Sequence, residues 1–266
     1  MTSNRLPGKI LKPICFPEGT PILEQVVRRV QKADRIDQVI IATTDHPTDD
    51  PVEELAVSLG AGIFRGSELD VLDRFYGAAK TYGLDQIVRI TSDCPFLDPD
   101  VISRLVKLHQ DGEYQYSSNC IRRTFPHGMD CEILNADVLY WMHENAQDQF
   151  YREHVTSYVT SHQEEFQIGS LTDTEDNSQI RVTVDTAEDY LLSCMLNDLV
   201  RVSEAPLSYQ TIVRLFKERP YLSSINSGIL QKKRYDSEKE EIEAAVQLLT
   251  KQEMFAAAER LRKEQG

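Results

Sequence analysis

Short apolar runs alternating with amphipathic stretches set the rhythm of the first half of the chain. Thr20 and Pro21 stand ahead of ILEQVVRRVQKA, whose apolar positions recur at helical spacing, with Thr20 read as N-cap and Pro21 in the first turn. Gln38–Ala42 (QVIIA) is short, apolar and β-branched, as a buried strand requires. Asp50 and Pro51 open a second helix, whose positive end suits Glu53 and Glu54 and which Gly60 stops. Gly62–Phe64 reads as a strand, and Ser67 with Asp70 as the capping box of a helix ending near Gly83. Gln86–Ile90 (QIVRI) is the next strand, and Asp98-Pro99 begins a helix that closes at Gly112. This succession predicts an α/β fold, a mostly parallel three-layer sheet with helices on both faces. In such sheets ligands bind where loops leave the carboxyl ends of the strands.

The second half is less regular. Tyr114–Asn119, Asp130–Leu134, Phe166–Leu171 and Ile180–Asp185 read as strands, and helices are expected at about 136–147, 151–162, 187–199 and 207–217. From Ser237 onward the chain is rich in helix formers. Ile242, Ala245, Val246 and Leu249 would share one face, which Phe255, Ala256 and Leu261 extend. That face is expected to pack on its own domain, with a homodimer contact as the alternative. The division is therefore a domain over 1–226 and a C-terminal helical extension over 227–266.

Composition narrows the function. Against 29 Lys and Arg stand 43 Asp and Glu, a formal charge of −14, which argues against non-specific nucleic-acid binding. No stretch approaches the roughly 18 apolar residues of a membrane span, and the first residues hold no apolar secretory core. Five cysteines, odd in number and never in a C-x-x-C pair, suit reduced thiols. A cytoplasmic protein acting on small molecules is the expectation.

Candidate chemistry sits in the loops. Arg5, Gly8 and Lys9 place two cations about a turn that can approach a ligand closely, which suits a triphosphate, although N-terminal cations are commonly just solvated. Asp93 follows an apolar strand in ITSDCP, where a carboxylate can hold Mg2+ over a bound phosphate. Asp185 ends VTVD ahead of a helix and repeats that situation, with a helix N-cap as its alternative role. Asp189 is expected to face solvent or cap a turn. In TFPHGMDCE, alternation would point Asp130 and Glu132 to one side as acceptors for sugar hydroxyls, or onto the wet face of an edge strand. His154 stands near a helix start.

RLPGK, ATTD, FRGSELDVLDRF, VRITSDCPFLDP, RTFPHGMDCE, EHVT and RVTVDTAEDY occur in this order in cytidylyltransferases of the spore-coat-polysaccharide SpsF type, which the chain resembles over roughly residues 3–226. The resemblance implies a GT-A-like nucleotidyltransferase fold and the reaction of CTP with a sugar to give a CMP-sugar and pyrophosphate. It implies that Arg5 and Lys9 hold the triphosphate, that Thr43 and Thr44 contact the base, and that Arg65, Gly66 and Ser67 line the nucleotide site. Asp93 and Asp185 match magnesium ligands, and Asp130, Glu132, His154 and Arg181 fall on the sugar side. Family members open with an apolar strand placed centrally in the sheet, and Met1-Thr2-Ser3 resembles the interior of the phrase that follows it. The expectation is that Met1 is not the natural start. Two rivals stand beside the transferase: a GT-A glycosyltransferase using a nucleotide-sugar, and a non-catalytic nucleotide- or sugar-binding scaffold. The only D-x-D spelling, Asp98-Pro99-Asp100, reads as a helix cap.

Overall fold

Capping chemistry and burial set the element boundaries. A hairpin of β1 (Pro13–Cys15) and β2 (Thr20–Pro21) leads into α1 (Ile22–Val30). Pro21, and not Thr20, is the N-cap of α1. β3 (Ile40–Thr44), α2 (Asp50–Ser58) and β4 (Gly62–Gly66) form a βαβ unit whose strands pair in parallel. α3 (Val71–Tyr82) is capped by Asp70 and not by Ser67: the Asp70 carboxylate accepts from Asp73 N at 2.9 Å, while Ser67 Oγ accepts from Asp70 N. β5 (Gln86–Arg89) runs into the ITSDCPFL loop and then α4 (Pro99–Asp111), capped by Asp98.

β6 (Tyr116–Ser118), β7 (Glu132–Asn135) and α5 (Ala136–Asn145) follow, then α6 (Gln149–His154), α7 (Ser157–Ser161) and β8 (Ile168–Ser170). The single helix expected over 151–162 is broken at Val155, which takes a positive φ of 51°. That costs a β-branched residue dearly, and full burial of its side chain in the core compensates. Residues 180–185 form no strand ladder. Their pairing reduces to the Arg181–His127 bridge and a bond from Val184 N to Asp93 O at 2.9 Å. α8 (Ala187–Val202), α9 (Tyr209–Glu218) and α10 (Leu222–Ile225) complete the first unit, Met1–Ser227. The second unit, Gly228–Gly266, contains α11 (Glu238–Lys251) and α12 (Phe255–Lys263), which pack against one another. This computed structural model describes residues 5–229 and 238–263. The reading of Met1–Ser3 as part of a longer opening, and that of Ser237 as a helix start, fall outside the described residues.

The fold is α/β, and its strands pair in mixed fashion. The parallel pairing expected is met in β3–β4 and β6–β8, but β7 runs antiparallel to both β5 and β6. Three hydrogen-bonded sets result among the described residues: β1–β2, β3–β4 and β5–β7–β6–β8. Among the described residues β3 and β5 each keep one rim without a partner strand, and the two line a common groove of about 330 Å³. Its walls include Val26, Val39, Ile41, Phe75, Ile87 and Ile90. Unpaired strand rims expose backbone donors and acceptors that seek partners.

The carboxyl end of β3 is locked by Asp49, which is only 2% exposed. Its Oδ2 accepts from Thr43 Oγ1 at 2.6 Å, Thr44 Oγ1 at 2.8 Å and Thr44 N at 3.2 Å. Burial alone would raise its pKa, but the chain's amino terminus and then the Thr43 and Thr44 donors lower it. A depressed folded-state pKa stabilises the protein above the unfolded value of about 3.9, and that contribution is lost as pH falls further. Asp49→Ala is expected to cost about 1–3 kcal/mol at pH 7 in urea unfolding. The difference from wild type should narrow below about pH 4; a gap unchanged there would contradict the assignment.

Candidate active site

Four segments distant in sequence meet at the carboxyl end of β5. The opening loop is anchored by Leu6, which packs on the buried cluster of Ile14, Ile22 and Val184. Gly8, at φ 63°, adopts the left-handed conformation that turns the chain into a 3-10 turn at Lys9–Leu11. The ITSDCPFL loop is fixed from beneath by burial of Cys94, Phe96 and Leu97. Phe96 alone contributes roughly 1.5–3 kcal/mol of burial. α1 holds the same loop by its carbonyls: Gln25 Nε2 donates to Pro95 O at 3.0 Å, and Arg29 Nε to Leu97 O at 2.7 Å. Asp93 is thereby presented on a rigid base, with Oδ1 accepting from Thr91 Oγ1 at 2.6 Å.

The Asp185 segment is stitched directly to Asp93. Besides the Val184 N bond, Thr183 Oγ1 donates to Asp93 O at 3.2 Å. Lys9 Nζ then bridges the two carboxylates, 2.8 Å from Asp93 Oδ2 and 2.9 Å from Asp185 Oδ1. Those two oxygens therefore converge on one cation-sized point. Arg5 Nη2 approaches Asp185 Oδ1 at 3.3 Å, and Arg181 Nη2 lies 3.0 Å from Asp185 Oδ2. Burial disfavours charge on Lys9, yet Asp93 and Asp185 outweigh it and raise its pKa. Burial likewise opposes ionisation of Asp185, and Lys9, Arg181 and Arg5 overcome it to lower its pKa.

Of the two roles expected for Asp189, facing solvent or capping a turn, the structure shows the second, with the side chain buried. It forms a reciprocal capping box with Thr186 at the start of α8. Its carboxylate also grips Arg181 through Nε at 3.0 Å and Nη2 at 2.8 Å. The N-cap of α8 is Thr186, which leaves the Asp185 carboxylate to face the cations.

Asp130 adjoins this cluster. Arg123 forks onto both its oxygens, at 2.5 and 3.0 Å, and His127 Nδ1 lies 3.7 Å away. Burial keeps the His127 pKa below its usual value despite Asp130. Glu132 sits apart in the interior of the sheet, paired with Arg89 and accepting from Tyr116 Oη at 2.5 Å and Thr156 Oγ1 at 2.7 Å. Thr43 and Thr44 end β3 with their hydroxyls on Asp49. Arg65 ends β4 between Asp50 and Glu53, and donates to Thr44 O and His46 O. Gly66 O accepts from Asp45 N, and Ser67 caps Asp70. His154 is exposed at the end of α6, against Phe150. Sequence reasoning missed Arg123 as Asp130's partner and Asp189 as the anchor of Arg181. The i, i+4 spacing of Asp185 and Asp189 after an arginine-bearing extended run was the available signal.

A layered α/β framework with carboxylates and cations gathered at strand ends is the arrangement of a nucleotidyltransferase. The fold agrees: CMP:2-keto-3-deoxy-manno-octonic acid synthetase in complex with CTP is matched at a TM-score of 0.53 and 15% identity, over 76% of this chain and 94% of that one. Nearer in sequence is a cytidylyltransferase from Leptospira borgpetersenii serovar Hardjo-bovis (strain JB197), with a TM-score of 0.76 and 33% identity, over 88% and 95% of the two chains. The spore coat polysaccharide biosynthesis protein SpsF of Bacillus subtilis (strain 168) is 36% identical over 200 residues, 71% of this chain and 80% of that protein. Residues 1–256 match the Cytidylyltransferase family as a whole. The chain belongs to that family and is a CTP-dependent nucleotidyltransferase.

Gly128 makes the junction between the Asp130 and Asp185 segments possible. Its φ is 98°, and a Cβ placed there would lie 2.2 Å from Thr183 N. Neither the conformation nor the contact admits a side chain. Gly128→Ala is expected to cost more than about 1 kcal/mol, read as a lowered thermal midpoint. A variant as stable as wild type would show that the two segments are not packed as described.

Proposed function

We propose that the protein transfers CMP from CTP to a sugar hydroxyl, releasing pyrophosphate, in surface or spore polysaccharide biosynthesis. The observation that carries this reading is the convergence of Asp93 and Asp185 on one point ringed by Arg5, Lys9 and Arg181. Two hard carboxylate oxygens suit magnesium, which typically takes one or two protein carboxylates and completes its shell with phosphates and water. Among the described residues no group of three or more His, Cys, Asp or Glu is placed to hold a metal ion, and this reading takes the Asp93–Asp185 pair as the protein's donors. When bound there, magnesium would offset charge on the α-phosphate and hold the attacking oxygen near it.

The chain's own residues do the rest by position and charge. The sugar oxygen bonds to the α-phosphorus in line as the bond to the pyrophosphate oxygen breaks, and the hydroxyl proton is released. Arg5 and Lys9, in the loop turned by Gly8, stabilise charge gathering on pyrophosphate. Thr43 and Thr44 at the end of β3, with Arg65, Gly66 and Ser67 at the end of β4, form the nucleotide side. Asp130, held by Arg123, and Arg181 face the sugar, with His154 at the rim. Glu132 serves the framework, tying β5, β6 and Thr156 together.

A binding-only scaffold is the second reading, and the open groove between β3 and β5 favours it.

Asp93→Asn should lower pyrophosphate release from CTP by on the order of 10²–10³-fold, with an unchanged far-UV circular dichroism spectrum. Near-normal turnover would refute the role of Asp93, and CTP binding without pyrophosphate release at saturating sugar would favour the scaffold.

A further inference from the structure

Lys9 stands where the divalent cation is expected. Its Nζ contacts Asp93 Oδ2 and Asp185 Oδ1, and it shares the second of these with Arg5, which lies 3.3 Å away. Asp93 Oδ1 is engaged by Thr91, and Asp185 Oδ2 by Arg181. A magnesium-like ion needs carboxylate oxygens at about 2.0–2.1 Å. An ammonium and a metal cannot share one pair of oxygens at those distances.

We infer that Lys9 is a resident cation that holds the Asp93–Asp185 pair in the nucleotide-free protein and is exchanged for the metal when the triphosphate arrives. The inference rests on the two-carboxylate reading of the metal site. Without Lys9 the two carboxylates would repel each other across a partly dry site. With it they are pre-assembled, at the cost of being closed to a lone metal ion. The exchange needs no backbone movement, because the ammonium rides on a flexible four-carbon stem. Lys9 begins the 3-10 turn that follows Gly8, so its side chain alone can swing. An incoming triphosphate offers Nζ anionic oxygens in place of the two aspartates and carries the metal into the position vacated. Arg5 and Arg181 cannot substitute for it, since each touches Asp185 without touching Asp93.

Two consequences follow from linkage. Metal alone should bind weakly, and nucleotide and metal should each strengthen the other by the same factor. Lys9 is thus a positioning residue that sets the order of addition, nucleotide with metal and not metal first.

Mn2+ serves as the probe, since it favours the same octahedral oxygen ligands, with free Mn2+ followed by electron paramagnetic resonance in the absence of nucleotide. Lys9→Met should bind Mn2+ at least tenfold more tightly than wild type. Lys9→Arg, which keeps a cation in place, should bind as weakly as wild type. Arg5→Met removes a neighbouring positive charge without opening the pair and should gain less than threefold. Adding Asp185→Asn to Lys9→Met should abolish the gain. Should Lys9→Met not fold by circular dichroism, Lys9→Gln takes its place with the same expectations. Equal Mn2+ affinity in Lys9→Met and wild type, an equal gain in Arg5→Met, or a gain that survives Asp185→Asn would each overturn the inference. Pyrophosphate release from CTP by the wild type tests the transferase reading separately. An active enzyme with no Mn2+ gain sinks the exchange alone, and a gain without pyrophosphate release sinks the transferase alone.

Discussion

The bond from Val184 N to Asp93 O is the constraint on which the site depends. It joins chain segments about ninety residues apart and forces two like charges into one small volume. Everything nearby answers that repulsion. Lys9 bridges the pair, Arg5 approaches from the opening loop, and Arg181 is aimed by the buried Asp189. Removing any cation would leave a carboxylate poorly compensated in a site where water is scarce, which is costlier than losing a surface ion pair. The charge balance is local: Lys9, Arg5 and Arg181 each lie against Asp93 or Asp185.

Rigidity on one side of the site is matched by freedom on the other. The Asp93 loop is clamped by buried Phe96 and Leu97 and by the side chains of Gln25 and Arg29. Lys9 and Arg5 sit instead on a short turn, where long side chains reach their partners through several rotatable bonds. A phosphate-transfer site benefits from that division: fixed acceptors define the geometry, and movable donors follow the charge as it shifts.

Local signals in the sequence were strong where neighbours in the chain decide the outcome. Asp98 capping α4, Gly83 ending α3 and the strands at β4 and β5 follow from spacing and turn chemistry alone. Asp93 and Asp185 stood out singly, each at the end of an extended run, and it was the resemblance to SpsF-type cytidylyltransferases that implied they act together. Features set by distant partners were not legible. The turn-capping role of Asp189 was legible, but nothing in its vicinity reveals that Arg181 and Asn226 would enclose it. Val155 broke a helix that its own propensity gives no reason to break, since burial of its side chain outweighed the backbone cost. Glu132 looked available to a ligand by alternation, while Arg89, Tyr116 and Thr156 had already satisfied it from other elements.

The unpaired rims of β3 and β5 border a shared trench, whereas the free edge of an ordinary sheet points outward. An outward edge accepts one intruding chain and presents a fresh edge for the next, which is how fibrils grow. Rims that open onto one groove, walled by Val39, Ile41, Ile87 and Ile90, offer no such outward edge.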